Sequence, residues 1–178
     1  TSFTEVTPNE AVYHFSGVAF HPLHPDTVLA GNLLRMFRSV DGGISWIDVA
    51  SLTYTGDITF SEVDCSLVLC TGEDQIYRSS DTGQNWSTVS AGLSGDGIQC
   101  VVPSVDNGSM VFTGSSDGCF RSSDSGQSWS AQNSGILLGY AAALDCCDGW
   151  MYTGLWEGGV FKAEVNSSPT WQEGAIPG

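Results

Sequence analysis

Arg78-Ser-Ser-Asp-Thr-Gly-Gln-Asn-Trp86 decides how this chain is read. The same pattern occurs twice more, as Arg38-Ser-Val-Asp-Gly-Gly-Ile-Ser-Trp46 and Arg121-Ser-Ser-Asp-Ser-Gly-Gln-Ser-Trp129. All three fit Ser-x-Asp-x-Gly-x-x-Trp, and Asp41, Asp81 and Asp124 are 40 and 43 residues apart. Chance does not produce three such matches in 178 residues. A degenerate fourth copy runs from Phe161-Lys162 to Trp171, with Glu164-Val-Asn-Ser-Ser-Pro169 in place of the acidic turn. Phe37, Tyr77, Phe120 and Phe161, spaced 40, 43 and 41 apart, keep the period. Gly31, Gly72, Gly114 and Gly154, each closing a β-rich run, recur at 41, 42 and 40. The whole segment repeats, not only the motif.

Within one unit four strand-like runs can be counted, for example Ile98 to Pro103, Ser109 to Thr113, Gly118 to Ser122 and Gln127 to Ala131, separated by Asp, Asn, Gly and Ser clusters. Four short strands in about 42 residues match one blade of a β-propeller, whose period is roughly 40 to 45 residues. No 3.6-residue periodicity supports a helical solenoid. The expected fold is therefore all-β, a propeller of four four-stranded blades at 13–50, 55–90, 96–132 and 138–174, either a single domain complete in itself or part of a larger propeller or assembly. Residues 1–12 read as an extra outer strand, since Thr1-Ser-Phe-Thr-Glu-Val-Thr7 is similar to Trp86-Ser-Thr-Val89.

The motif's residue types suit a hairpin between the third and fourth strands. An aspartate can accept hydrogen bonds from turn amides, a glycine permits the left-handed backbone, and a serine can tie the same turn. A tryptophan opening the outer strand covers the hairpin with a large apolar surface. Ser39, Asp41, Gly43 and Trp46, then Ser79, Asp81, Gly83 and Trp86, then Ser122, Asp124, Gly126 and Trp129 are accordingly expected to be structural.

These residues resemble the Asp-box, or bacterial neuraminidase repeat, found in sialidases, xyloglucanases, sortilin-type receptors and photosystem II assembly factors. Val18-Ala-Phe-His-Pro-Leu-His-Pro-Asp-Thr-Val28-Leu-Ala-Gly31 is similar to the first two strands and proline-rich link of such blades, and the resemblance covers Tyr13 to Pro177. It is specific for fold and weak for function, because the box is a structural turn shared by enzymes and receptors. Propellers of the family commonly have six or more blades, where this chain supplies four.

The totals narrow the partners. Twenty acidic residues face five basic ones, Arg35, Arg38, Arg78, Arg121 and Lys162, for a net charge of −15. Nucleic acid and anionic membranes would be repelled, and no run of 18 apolar residues suggests membrane insertion. Cys65, Cys70, Cys100, Cys119, Cys146 and Cys147 form an even set that favours disulfides, with fifteen possible pairings; six separately buried thiols are the alternative. Asn85, Asn107 and Asn166 sit in N-glycosylation sequons. An extracellular or cell-surface location follows as an expectation.

Catalytic chemistry is harder to place. Arg38, Arg78, Arg121 and Lys162 share one repeat position, which gives them a structural role and leaves Arg35 alone, so a sialidase arginine triad cannot be assembled. His21-Pro-Leu-His24 lacks a further metal ligand nearby, and no metal or cofactor is expected. A glycosidase needs two facing carboxyl groups. Propeller sites lie where the loops after the second and fourth strands converge, which points to Asp57, Asp74, Asp96, Asp117, Trp156 and Glu157 as a candidate binding face. The predicted loops Asn32-Leu-Leu34, Glu73-Asp-Gln75, Ser115-Ser-Asp117 and Leu155-Trp-Glu157 do not repeat one another, which argues against a lectin with several equivalent sugar sites. This reading expects a non-enzymatic protein-interaction or assembly module, able to build filaments, that engages a protein partner or its own copies through Thr1 to Thr7 or the blade edges. A fragment of a polysaccharide-active glycoside hydrolase and a carbohydrate-binding lectin are the alternatives.

Overall fold

The computed structural model describes residues 14–136, 139–156, 158–165 and 170–173. Their regular structure is entirely strand, in four antiparallel sheets of four strands, each sheet a meander. Sheet 1 holds β1 (Phe15–Phe20), β2 (Val28–Asn32), β3 (Arg35–Ser39) and β4 (Ile47–Ser51). Sheet 2 holds β5 (Ile58–Phe60), β6 (Val68–Thr71), β7 (Ile76–Ser79) and β8 (Ser87–Val89). Sheet 3 holds β9 (Cys100–Pro103), β10 (Val111–Ser115), β11 (Gly118–Ser122) and β12 (Ser130–Ala131). Sheet 4 holds β13 (Ala141–Cys147), β14 (Trp150–Leu155), β15 (Gly159–Glu164) and β16 (Gln172–Glu173).

The sequence of each strand follows from its place in the sheet. First strands lie side by side, β1 by β5, β5 by β9 and β9 by β13. Second strands β2, β6 and β10 are buried along their whole length and so carry mostly apolar or small residues, as in Val68-Leu-Cys-Thr71, with the buried Asn32 closing β2. Fourth strands are short and largely exposed, and Ser and Thr are common there. Three apolar clusters join successive sheets. Leu29 and Met36 meet Phe60, Val68 and Tyr77; Leu69 and Ile76 meet Val101, Val111 and Phe120; Phe112 and Cys119 meet Met151, Phe161 and Ala163. Each fully buried Leu, Phe or Met contributes about 1.5–3 kcal/mol, so these interfaces hold the sheets side by side more than strand propensity does.

The Ser-x-Asp-x-Gly turns close on themselves in three nearly identical copies. Ser39 Oγ donates to Asp41 Oδ1 at 2.8 Å and accepts from the Gly43 amide at 2.9 Å. The Asp41 carboxylate accepts from the backbone and hydroxyl of Ser45 at 2.8 and 2.6 Å. Ser79, Asp81, Gly83 and Asn85 repeat this at 2.8, 2.9, 2.8 and 2.6 Å. Ser122, Asp124, Gly126 and Ser128 do so at 2.7, 2.8, 2.8 and 2.6 Å. Gly43, Gly83 and Gly126 have φ of 90°, 79° and 82°, the left-handed backbone the pattern calls for. Hydrogen bonds from Ser45 hold the Asp41 pKa at about 2, and those from Ser128 do the same for Asp124. At Asp81 partial desolvation pulls upward, but bonds from Asn85, Ser79 and Gln84 together outweigh it and lower the pKa.

A second recurring contact pins each turn to the link between the first two strands. Gly42, Thr82 and Ser125 amides donate to the carbonyls of Asp26, Ser66 and Ser109 at 2.9, 2.9 and 2.8 Å. Arg38 Nε donates to the Thr82 carbonyl at 3.0 Å and Arg78 Nε to that of Ser125 at 2.7 Å, so these arginines clip one sheet to the turn of the next. Trp46 and Trp86 fold back on their turns, each donating its indole N–H at 3.0 Å to the carbonyl of Gly43 or Gly83. Trp129 differs: it is buried in the cluster between sheets 2 and 3.

Three expectations need correction or limits. The disulfides are not formed, and all six cysteines are free thiols. Cys100 and Cys119 both pair with Gly114, one on each side, which separates them by two strand spacings, about 9–10 Å, beyond the ~7 Å that a disulfide spans. Cys146 is buried and Cys147 exposed, on opposite faces of β13. The small residue that matches Gly31 and Gly114 in register is Thr71, paired with Ile76 as Gly31 is with Met36; Gly72 lies one residue later. Thr1 to Thr7, Asn166 and Glu157 fall outside the described residues.

Candidate active site

Because each sheet is a four-strand meander, its connections alternate between two ends. The Ser-x-Asp-x-Gly turns and the first-to-second strand links occupy one end. The other end gathers the hairpins between second and third strands and the crossings into the next sheet, and there a cavity of about 450 Å³ opens. Its wall includes Ser16, Asp57, Cys100 and Leu144, so residues on or beside the first strands of all four sheets contribute.

Asp57 stands immediately before β5 and is the one carboxylate among the described residues lining this cavity. Its position is fixed by the backbone: its amide donates to Thr71 Oγ1 at 2.9 Å, and its carbonyl accepts from the Thr71 amide at 2.9 Å. Across the sheet boundary the Val101 amide donates to Asp57 Oδ2 at 3.2 Å. The residue is exposed to water at the cavity mouth, and the neighbouring protein desolvates the carboxyl only in part. That desolvation raises its pKa, opposed by the Val101 and Ile58 amides. An acid held in its neutral form to higher pH, inside a concave site, can donate a proton to a bound group.

The rest of the wall mixes polar and aromatic groups, Ser16, Tyr54, Thr71 and Gln99, with aliphatic ones such as Ile98 and Leu144. Tyr54 has φ 54°, a left-handed conformation that costs a bulky residue about 1–3 kcal/mol. Nothing in the repeat marks Tyr54 or Gln99, which belong to the irregular crossings between sheets; only their position next to Asp57 and Cys100 could have drawn notice. Burial pushes the thiols of Cys70 and Cys100 up to about 12, which leaves them as packing groups rather than nucleophiles.

The other candidates are dispersed around the mouth. Asp74 lies exposed in the β6–β7 turn, beside Glu73, whose carbonyl accepts from the Ile98 amide at 3.1 Å. Asp96 and Asp117 are brought together through Ser116, whose hydroxyl accepts from the Asp96 amide at 2.9 Å and whose amide donates to the Asp96 carbonyl at 3.1 Å. Trp156 is exposed in the β14–β15 turn and meets Tyr140 edge to face at 6.1 Å between ring centroids. Tyr140 in turn donates its hydroxyl to the Gly97 carbonyl at 3.0 Å, which ties this aromatic pair to the loop entering β9. Trp150 is not among the residues around the mouth: it opens β14 at the opposite end of the sheet, half-buried beneath Lys162, whose Nζ is 4.6 Å from its ring.

The remaining polar and charged candidates have local duties. Arg35 is paired with Asp48. His21 accepts the amides of Leu23 and His24 through Nδ1, both at 3.1 Å, and so caps the β1–β2 link; desolvation, then His24 and Arg38, lower its pKa. Asn85 is engaged with Asp81, and Asn107 Oδ1 accepts from the amide and hydroxyl of Ser109 at 3.1 and 2.9 Å. No helix among the described residues is long and apolar enough to cross a membrane.

No protein-family model matches the sequence, and no curated protein matches it. Solved structures do. A GH74 enzyme from Niastella koreensis matches at TM-score 0.70 and 20% identity over 93% of this chain and 25% of its own. The GH74 xyloglucanase from Xanthomonas campestris matches at 0.74 and 18% over 92% of this chain and 31% of its own. YCF48 from Cyanidioschyzon merolae matches at 0.67 and 16% over 96% and 59%. This chain therefore spans about a quarter to a third of the two GH74 chains, and at these identities the likeness establishes a propeller-like arrangement of sheets.

The expectation of a non-enzymatic interaction or assembly module is corrected by these likenesses, which favour the glycoside hydrolase alternative. The missing arginines exclude only a site that binds a sugar carboxylate. A hydrolase working with carboxyl groups needs no such triad.

Proposed function

We propose that this chain is part of a polysaccharide-active glycoside hydrolase, acting outside the cell, whose four sheets are blades of a β-propeller with Asp-box turns, at about residues 13–50, 55–90, 96–132 and 138–174. The observation that carries the reading is Asp57, a carboxyl at the mouth of a cavity walled by all four sheets, with its pKa raised by desolvation. Cleaving a glycosidic bond takes a proton donor and a second carboxylate about 5–10 Å away across the sugar. Asp57 fits the donor. Its partner has to approach over the mouth, from the loop face that carries Asp74, Asp96 and Asp117 or from a further part of the protein. The Trp156 and Tyr140 pair offers the apolar surface on which a pyranose ring stacks.

The test is turnover and binding of xyloglucan and β-glucan oligosaccharides by the protein and by Asp57→Asn. The reading expects oligosaccharide binding by both, with turnover lost in the variant. Absence of binding to every polysaccharide tried, or turnover that survives the substitution, would contradict it.

A further inference from the structure

Thr71 is the residue at which sheet 2 departs from the other three. At the cavity end of the first two strands, Gly17 pairs with Gly31 in sheet 1, Cys100 with Gly114 in sheet 3 and Ala143 with Gly154 in sheet 4. Carrying the β5–β6 register one residue beyond Ile58 and Cys70 sets Asp57 opposite Thr71 at this same position. The second strand therefore carries glycine three times and a hydroxyl once, and the hydroxyl stands opposite the one acid among the four first-strand partners.

The first strand bulges here. In sheets 1 and 4 the pairing skips a residue, between Phe15 and Gly17 and between Ala141 and Ala143. In sheet 2, Gly56 and Asp57 share Thr71. The Gly56 amide donates to the Thr71 carbonyl at 2.8 Å, and the Thr71 amide donates to the Asp57 carbonyl at 2.9 Å. A bulge sets two residues against one and disrupts the ladder locally. The amide left over is that of Asp57, and Thr71 Oγ1 accepts it at 2.9 Å. Thr71 is fully buried, and a Cβ on Gly56 would collide with its Oγ1, so the glycine makes room for the hydroxyl. From the neighbouring sheet the Val101 amide holds Asp57 Oδ2 at 3.2 Å. Asp57 is thus gripped at its main chain by its own sheet and at its carboxylate by the next.

We infer that Thr71 is a positioning residue for Asp57, its hydroxyl fixing the bulge so that the carboxyl stays against the Val101 amide at the cavity mouth. The consequence for turnover rests on the reading of Asp57 as proton donor; the positioning does not. Valine has the shape of threonine without the acceptor, so Thr71→Val leaves the Asp57 amide unpartnered and the bulge free to shift. The Val101 bond lowers the Asp57 pKa, so loosening it should move the carboxyl's titration to higher pH.

The test is an NMR titration of the Asp57 carboxyl carbon, with hydrogen exchange of the Asp57 amide, in the unaltered chain and in Thr71→Ser, Thr71→Val and Thr71→Gly. The glycine variant copies the residue that sheets 1, 3 and 4 already carry at this register. Serine should keep both the midpoint and the slow exchange. Valine and glycine should each raise the midpoint and speed exchange about 5-fold or more, with unchanged circular dichroism. On xyloglucan the same two variants should lose about 10-fold or more in kcat with little change in KM, and serine should retain it. The titration needs no substrate, so it decides on Thr71 whether or not the chain turns over a polysaccharide. An unchanged Asp57 midpoint in a folded Thr71→Val or Thr71→Gly chain would overturn the inference, as would a serine variant that moves as far as valine does.

Discussion

The two ends of the sheets are built on opposite principles. At the turn end, three copies of one hydrogen-bond set recur within 0.1 Å of each other, from Ser39 to Asp41, Ser79 to Asp81 and Ser122 to Asp124. At the cavity end nothing repeats: an acid before β5, a strained tyrosine at Tyr54, a glutamine before β9 and an aromatic pair at Tyr140 and Trp156 each occur once. Repetition marks what every sheet needs in order to fold, and its absence marks where a site can be specialised. Substitutions at the turn end should therefore cost stability and spare activity, while those at the cavity end should do the reverse.

The largest expected effect is at the cavity. Asp57→Asn should lower turnover by at least about 100-fold, the usual contribution of a positioned proton donor, in a steady-state assay on xyloglucan. The same variant should be no less stable. Asp57 has its pKa raised by folding, so its protonated form is favoured in the native state, and the stabilisation is full below its unfolded pKa and lost as pH rises through the folded value. A permanently neutral amide, whose oxygen can still accept from the Val101 amide, should thus melt at the same temperature or higher at pH 7.

Next in size is Gly83→Val. A Cβ there would lie 2.7 Å from Leu29 Cδ2 at a φ of +79°, so steric clash and backbone strain together should cost about 3 kcal/mol in urea unfolding. Ser79→Ala, which removes a buried hydroxyl bonded to Asp81 and Gly83, should cost about 1–2 kcal/mol. Neither should change turnover per folded molecule, and a large kinetic defect in either would blur the division between the ends.

Acid sharpens the comparison further. Asp41 and Asp124 have pKa values of about 2 in the fold, below their unfolded values near 3.9. Their stabilisation is present above the unfolded value and lost as pH falls through the folded one. Thermal unfolding between about pH 4 and pH 2 should show this decline, and Asp124→Asn should flatten it. The smallest effect on stability belongs to Trp156→Ala, expected within about 0.5 kcal/mol because the indole is exposed, with weaker oligosaccharide binding as its only measurable consequence.

The turn end was legible in the sequence because its contacts are local. Every bond around Asp81 joins residues four or fewer positions apart, so residue type and spacing specify it directly, and the period then gave four sheets of four strands. The cavity end depends on partners that spacing does not reveal. Asp57 looked no different from Asp74, Asp96 or Asp117 in an acidic chain, and it is singled out only by Val101, 44 positions away, and by the walls that other sheets supply. The cysteines failed for a related reason, since an even count says nothing of the strand that separates Cys100 from Cys119. The position of Thr71 was misread because composition, unlike register, cannot distinguish it from Gly72.

The most direct measurement is an NMR titration of the aspartate side-chain carboxyl carbons, with and without a xyloglucan oligosaccharide. The account predicts an Asp57 midpoint above the ordinary value near 3.9, moved again by the sugar, while Asp41 and Asp124 stay near 2 and unmoved. An Asp57 that titrates normally and ignores the sugar would contradict it.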